Sequence, residues 1–308
     1  MKSVMYHYVR QFNSEFKYFK YLDVENFKLQ LDFFMEKYGF LEKNKFIKII
    51  KGEDPIPKDK IVLTFDDGLS DHYNFVYPEL KKRGLWGIFY VPTLPFSIGE
   101  FLGVHQIHIL TGSVKAKVLI SQLNDLISEE MISDKKIDAF RLETYKNQKN
   151  QKDVELFKKT MNYYISYKNR KTILSRLMKI NNLEIDAKDF YLNENQMIEM
   201  QQNGMLFGSH SESHPVFSKL DYKNQEKEIV SSFKTLEKIL SLSDVKTFCY
   251  PYGGFHSFDK NTVEILNKNQ CLFSFNVEAR DITAEDIANN PQVLPRYDCN
   301  LFKHGAIS

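Results

Sequence analysis

Short apolar runs alternate with amphipathic helical stretches at both ends of this 308-residue chain. The alternation constrains the fold more than any other feature, because buried strands separated by helices assemble into a parallel α/β sheet or barrel. Met1–Val9 reads as an apolar, aromatic strand. Asp23 can cap a helix in which Phe27, Leu31, Phe34, Met35 and Tyr38 share one stripe, with Gly39 as its stop. Lys60–Phe65 is a strand run, Pro78–Arg83 a helix closed by Gly84, and Trp86–Val91 another strand. The pattern resumes late in the chain. Met205–Ser209, Lys246–Tyr250, Leu272–Asn276 and Val293–Tyr297 read as strands, with helices at Gln225–Leu240 and Thr262–Asn267 between them.

From about residue 96 to 195 the strand signal stops. Val118–Ile127, Val154–Ile165 and Ile173–Ile180 carry helical spacing, with Lys, Glu and Asn between the apolar positions. Because the strand–helix alternation returns afterwards, this stretch is expected to be a helical insertion, a candidate lid, within one domain spanning 1–308. The expected fold class is therefore α/β.

Composition narrows the partners. Formal net charge is +2, without the basic excess of a nucleic-acid binder. Three cysteines, none in a CxxC pair, argue against a disulfide framework and a thiolate zinc site. The N-terminus MKSVMYHYVRQF lacks a long apolar stretch, and no transmembrane run occurs. For a complete chain the expectation is a cytoplasmic protein with no stable membrane insertion. The oligomeric state has no signature in the sequence.

Three clusters carry chemistry, each at the end of an expected strand, where α/β folds gather their functional groups. Thr64-Phe65-Asp66-Asp67-Gly68 places two adjacent carboxylates after an apolar run. Such a pair resists joint ionisation and is costly to bury unpaired, unless a cation takes one of them; Asp-Asp-Gly is also good turn chemistry. His210-Ser211-Glu212-Ser213-His214 spaces two histidines four apart, one helical turn and a chelating distance; alone, the pair reads equally as two ordinary histidines. Tyr250-Pro251-Tyr252-Gly253-Gly254 is by itself an adequate turn. Taken together, one aspartate and two histidines make a three-ligand set with open positions, as a hydrolytic metal site requires. The mixed oxygen and nitrogen donors suit zinc, with cobalt, nickel, manganese or iron chemically possible.

The order and wording of these clusters resemble the polysaccharide deacetylases, the NodB-homology or carbohydrate esterase 4 family. The resemblance rests on TFDDG at Thr64–Gly68, H-[ST]-x-x-H at His210–His214 and aromatic-Pro-Tyr-Gly at Tyr250–Gly253. It implies a distorted (β/α) barrel of about seven strands and hydrolysis of an N-acetyl or O-acetyl group on a sugar. It further implies that Asp66 is the general base and that Asp67, His210 and His214 hold one divalent metal. The backbone N–H of Tyr252 would assist at the oxyanion, with Tyr250 beside it.

Two departures redirect the remaining assignments. Many members open the third motif with an arginine that steadies the base; here the region reads Thr247-Phe248-Cys249-Tyr250, and Arg296 is expected to substitute. The family's acid histidine lies in a Leu-x-x-His segment, which here is Leu301–His304, four residues from the end. Met5-Tyr6-His7-Tyr8-Val9 instead resembles the Tyr-His-x-Val element of deacetylases acting on biofilm poly-N-acetylglucosamine, so His7 is the expected acid. His105 and His108 at the start of the insertion are further candidates for substrate contact, and His72 and His256 for lining the cleft. The expected reaction is removal of an acyl group from an acetylated amino sugar, in a precursor of a surface glycan. The competing readings are a deformylase or amidase on a non-sugar, and a non-catalytic carbohydrate-binding protein of the same fold.

Overall fold

The computed structural model describes residues 1–127, 131, 152–240 and 245–307. Among the described residues nine strands form: β1 Lys2–Tyr6, β2 Val9–Arg10, β3 Leu22–Asp23, β4 Ile61–Phe65, β5 Ile88–Val91, β6 Leu206–Ser209, β7 Thr247–Cys249, β8 Phe273–Phe275 and β9 Tyr297–Asp298. Seven of them make one parallel sheet in the order β8-β7-β6-β5-β4-β1-β9, and β2 pairs with β3 apart from it. The sheet curls towards closure. β9 pairs with β1 through Val4↔Tyr297, while Leu294, just before it, bridges Phe275 of β8. Around the ring the strands follow chain order, giving the distorted (β/α) barrel of the expected fold class. All seven strands run the same way, so every strand-to-helix loop opens at one end.

Side-chain alternation explains the layering. Ile61, Leu63 and Phe65 of β4 join one buried cluster with Phe27, Leu31 and Phe34 of the helix Val24–Lys37. Val62 faces a second cluster containing Phe46, Ile49, Tyr90 and Phe275. Phe46, Ile49 and Ile50 come from the helix Lys43–Ile50, an element with no counterpart in the sequence reading, being barely two turns long. The helix Val24–Lys37 is capped as expected, Asp23 accepting from the N–H of Glu25. Its buried stripe takes in Val24 and Gln30, and Tyr38 falls past its end as the C-cap. Met35 is half exposed and Gln30 is fully buried. Gln30 accepts from the Tyr6 hydroxyl at 2.6 Å and donates to the carbonyls of Cys299 and Lys303, both at 3.0 Å, so its polar atoms are satisfied.

The chain divides into two compact units. One comprises Met1–Gln11, Tyr21–Glu100 and Ala187–Ser308, which hold the barrel. The other comprises Phe12–Lys20 and Phe101–Asp186. Regular elements in the second unit are helical among its described residues: Gly103–Ser113, Ala116–Leu126, Lys152–Lys159 and Tyr167–Ile180, with a π-helical turn Thr160–Tyr164. Ile107, Leu110, Leu119, Phe157, Met161 and Leu174 form its core. Residues 128–130 and 132–151 of the expected insertion lie outside the described residues. No helix among the described residues is long and apolar enough to cross a membrane.

Candidate metal centre and base

Asp66 and Asp67 leave β4 at the open end of the barrel, and β6 delivers His210 two strands away. Asp67, Ser211, His214 and Tyr252 all adopt left-handed backbone, with φ of 82°, 68°, 58° and 65°. They are four of the eight such non-glycine residues among those described. Each costs on the order of 1 kcal/mol or more, and strain of this kind collects where side chains are held for function. The histidine pair is not on a helical turn, as its spacing implied. His210–Pro215 is an irregular loop, and the two left-handed residues fold it so that the imidazole rings lie 4.7 Å apart at 74°.

Three donors converge. Oδ1 of Asp67 lies 3.5 Å from Nε2 of His210 and 3.4 Å from Nε2 of His214, and all three side chains are buried. These separations exceed a good hydrogen bond. They match the spacing of two ligands on one ion, since bonds of about 2.0–2.2 Å at tetrahedral or right angles set donors roughly 3–3.5 Å apart. The protonation state of His210 agrees. Burial first, and the neighbouring His214 second, push His210 down to about 4, so its ring is neutral at pH 7. Its Nδ1–H donates to the Cys249 carbonyl at 2.8 Å, which leaves the Nε2 lone pair facing Asp67. The donor set therefore fits a divalent cation.

The neighbouring carboxylate is held differently. Arg296 is fully buried and forks onto Asp66, Nη1 to Oδ1 and Nη2 to Oδ2, both at 2.8 Å. It also donates to Thr64 Oγ1 at 3.1 Å and, through Nε, to the Asn276 carbonyl at 3.2 Å. Burial alone would raise the Asp66 pKa, but the guanidinium charge and its hydrogen bonds outweigh it and hold the carboxyl at about 2. Arg296 precedes β9, which starts later and is shorter than the Val293–Tyr297 strand expected. Leu294 and Arg296 still offer carbonyls to Asn276 and Glu278.

Among the other sequence candidates, the barrel brings some together and disperses others. His7 follows β1, whose Tyr6 pairs with Phe65 of β4, so His7 and Asp66 leave adjacent strands at the same level. A proton on His7 adds to the downward push on Asp66. His72 is fully buried under this region, and its Nε2–H donates to the His7 carbonyl at 3.0 Å. The Tyr252 ring meets His214 edge-on at 5.0 Å. Tyr250 goes elsewhere: it is buried, stacks on Phe258 at 3.8 Å and donates its hydroxyl to the Gln292 carbonyl at 2.7 Å, so its side chain belongs to the core and not to a substrate pocket. His105 and His108 belong to the second unit, with rings 6.0 Å apart and His105 fully buried. The carbonyl of His256 accepts from the Ser218 hydroxyl, and His304 lies in the segment that Gln30 ties down.

Two participants were absent from the sequence reading. Cys249 stands where the family arginine was sought. Its thiol contacts Oδ2 of Asp66 at 3.4 Å and Nη2 of Arg296 at 2.8 Å. Its place directly before Tyr250 was the available signal. Glu228, on the helix Tyr222–Ile239, accepts from the His210–His214 loop and had none, being one acidic residue on a polar face.

Residues 167–273 match the model of the polysaccharide deacetylase family. That stretch holds His210, His214 and the Tyr250–Gly253 turn, and lies apart from Asp66 and Asp67. No curated protein matches the chain in sequence. In fold the chain is similar to the Streptococcus pyogenes deacetylase PplD in complex with acetate, with a TM-score of 0.60 at 19% identity over 97% of this chain and 91% of that one. It is similar also to IcaB from Ammonifex degensii, with a TM-score of 0.55 at 16% identity over 96% and 89% of the two chains. A de-N-acetylase from Aggregatibacter actinomycetemcomitans aligns with a TM-score of 0.53 at 13% identity over 96% and 93%. At such identities the structural likeness is one of fold, and the match in sequence to the polysaccharide deacetylase family spans residues 167–273, about a third of the chain.

Proposed function

We propose that this protein is a divalent-metal-dependent hydrolase that removes an N-acetyl group from an amino sugar of a saccharide. The observation that carries the reading is the pairing of two carboxylates with opposite commitments on consecutive residues. Asp67 faces two buried imidazoles, that of His210 neutral, and Asp66 is clamped by Arg296. Support for the substrate class comes from the family match and from a structural neighbour described as a de-N-acetylase.

Asp67, His210 and His214 would hold the metal, zinc being the ion best suited to one carboxylate and two imidazoles. A metal bound there supplies Lewis-acid polarisation of the acyl oxygen and makes water more acidic. The rest falls to the chain. Asp66, ionised throughout the working pH range, accepts the proton of the attacking water. Arg296 keeps that carboxylate charged and oriented. The Tyr252 backbone N–H donates towards the charge that develops on the acyl oxygen. His7 passes a proton to the leaving amine, which must be protonated to depart.

The test is acetate release from N-acetylglucosamine oligomers, alongside metal content. Asp66→Asn should retain metal and lose at least about 100-fold in kcat, the usual reach of a general base. Asp67→Ala should lose both metal and turnover. An Asp66→Asn enzyme with full activity, or a wild-type protein that binds no divalent ion, would overturn the proposal. Formylated and non-sugar amides in the same assay define the acyl group and the leaving amine.

A further inference from the structure

The loop that carries both metal-facing histidines needs an outside support. Ser211 and His214 hold left-handed backbone, and a loop strained at two positions relaxes unless its surroundings over-determine it. Three supports are visible. Ser211 Oγ accepts from the His214 N–H at 3.0 Å within the loop. The N–H groups of Thr93 and Leu94, after β5, donate to the carbonyls of Ser211 and Glu212 at 3.1 and 2.8 Å. The third comes from the helix Tyr222–Ile239. Oε2 of Glu228 accepts the backbone N–H of Glu212 at 3.0 Å and of Ser213 at 2.8 Å, while Oε1 accepts the Ser213 hydroxyl at 2.5 Å.

We propose that Glu228 is the positioning residue of the metal centre, fixing His210 and His214 at chelating distance by gathering the three donors between them. The inference rests on the metal-site reading above. The chemistry is specific to a planar two-oxygen group. Two adjacent amides converge on one oxygen and a hydroxyl on the other, so a hydroxyl or apolar side chain at 228 leaves donors unanswered. The same helix makes a second, weaker tie one turn on, where Ser232 Oγ meets Ser209 Oγ at 2.6 Å at the end of β6. The helix thus braces the loop just before and in the middle of the histidine pair. The hydrogen bonds of Glu228 go to Glu212 and Ser213, so it acts through the loop.

The experiment compares Glu228→Leu with Glu228→Gln for zinc affinity, by competition against a fluorescent chelator, and for the unfolding midpoint of the metal-free protein. Leucine removes all three acceptor bonds. Zinc affinity should fall about 10–100-fold, the range for lost outer contacts to metal ligands, while kcat at saturating zinc stays near the parent value. Glutamine should rescue, because its oxygen can take the two amides and its NH2 can donate to a re-oriented Ser213 hydroxyl. Affinity within about threefold of the parent supports the proposal. A folded Glu228→Leu protein with parental zinc affinity overturns it, and so does a glutamine variant as weak as leucine, which would place the effect in the charge. Should leucine not fold, Ser213→Ala removes only the shortest of the three bonds; weakened zinc binding there supports the proposal, and unchanged binding overturns it. Asp67→Ala is the control that separates failures: if it binds zinc like the parent, the metal-site reading itself is wrong, whatever Glu228 does.

Discussion

Arg296 and Asp66 form a buried pair in which each ion answers the other's desolvation. Removing one partner strands a charge, which costs about 3–5 kcal/mol. Arg296→Gln should therefore lower stability by that order in urea unfolding, and should also move the chemistry. Without the guanidinium, burial dominates and the Asp66 pKa rises from about 2. The acid limb of the pH–rate profile then shifts to higher pH. A variant with an unchanged limb would show that Asp66 is not the titrating base. Arg296→Lys keeps the charge but cannot fork, and should recover part of the stability with less of the rate. This pair was half legible. The motif marked Asp66, and the missing family arginine directed attention to Arg296, but an arginine after an apolar run has an ordinary surface reading too. Only the barrel's curvature, bringing β9 beside β1 and Leu294 beside β8, aims it at a residue 230 positions earlier.

Loops, more than strands, set the site at the scale of elements. Strand placement followed the apolar runs closely: Ile61–Phe65, Leu206–Ser209 and Thr247–Cys249 each fall inside the expected run. The histidine pair did not follow its apparent period, since four-residue spacing was read as a helical turn and the chain instead makes a loop with two left-handed residues. No local pattern separates these, because neither Ser nor His requires positive φ, and long-range bonds impose it. The turn after β7 offers a clean check. Gly253 has φ of +72°, and a Cβ there would lie 2.2 Å from Cγ2 of Val277. Gly253→Ala should cost about 2 kcal/mol or more and displace Tyr252 from His214. Calorimetry of the metal-free protein measures the first effect, and weaker zinc binding the second; a neutral substitution would mean the turn is not built this way.

Acid sensitivity belongs to the whole molecule. Burial is the first cause for both His72 and His210, and each sits at about 4 in the fold against 6.5 when unfolded. Between those values the unfolded chain binds the extra protons, so stability falls as pH drops from about 6.5 to about 4. Each shift is worth up to about 3 kcal/mol. Asp66 continues the same trend below its unfolded value. Asp71 and Glu228 oppose it, because burial raises both. The net expectation for the metal-free protein is a lower urea midpoint at pH 5 than at pH 7.5. Saturating zinc should flatten the difference by competing with the proton at His210. A midpoint independent of pH would contradict the neutral, buried histidines.

By itself the sequence determined most of the strands, a parallel α/β sheet or barrel and the strand-end residues, because apolar alternation and buried runs are local consequences of keeping side chains out of water; the barrel itself was implied by the family resemblance. It marked the candidate chemistry to the extent that one aspartate and two histidines at strand ends offer the donors that a divalent cation takes. The sequence reading named Arg296 as the support of Asp66, and the tertiary structure alone decided the geometry of that support and the other groups that join it. Arg296 clamping Asp66, Cys249 lodged between the two and Glu228 gathering the histidine loop are contacts between distant segments. Their energies depend on burial and direction, and no spacing along the chain encodes either.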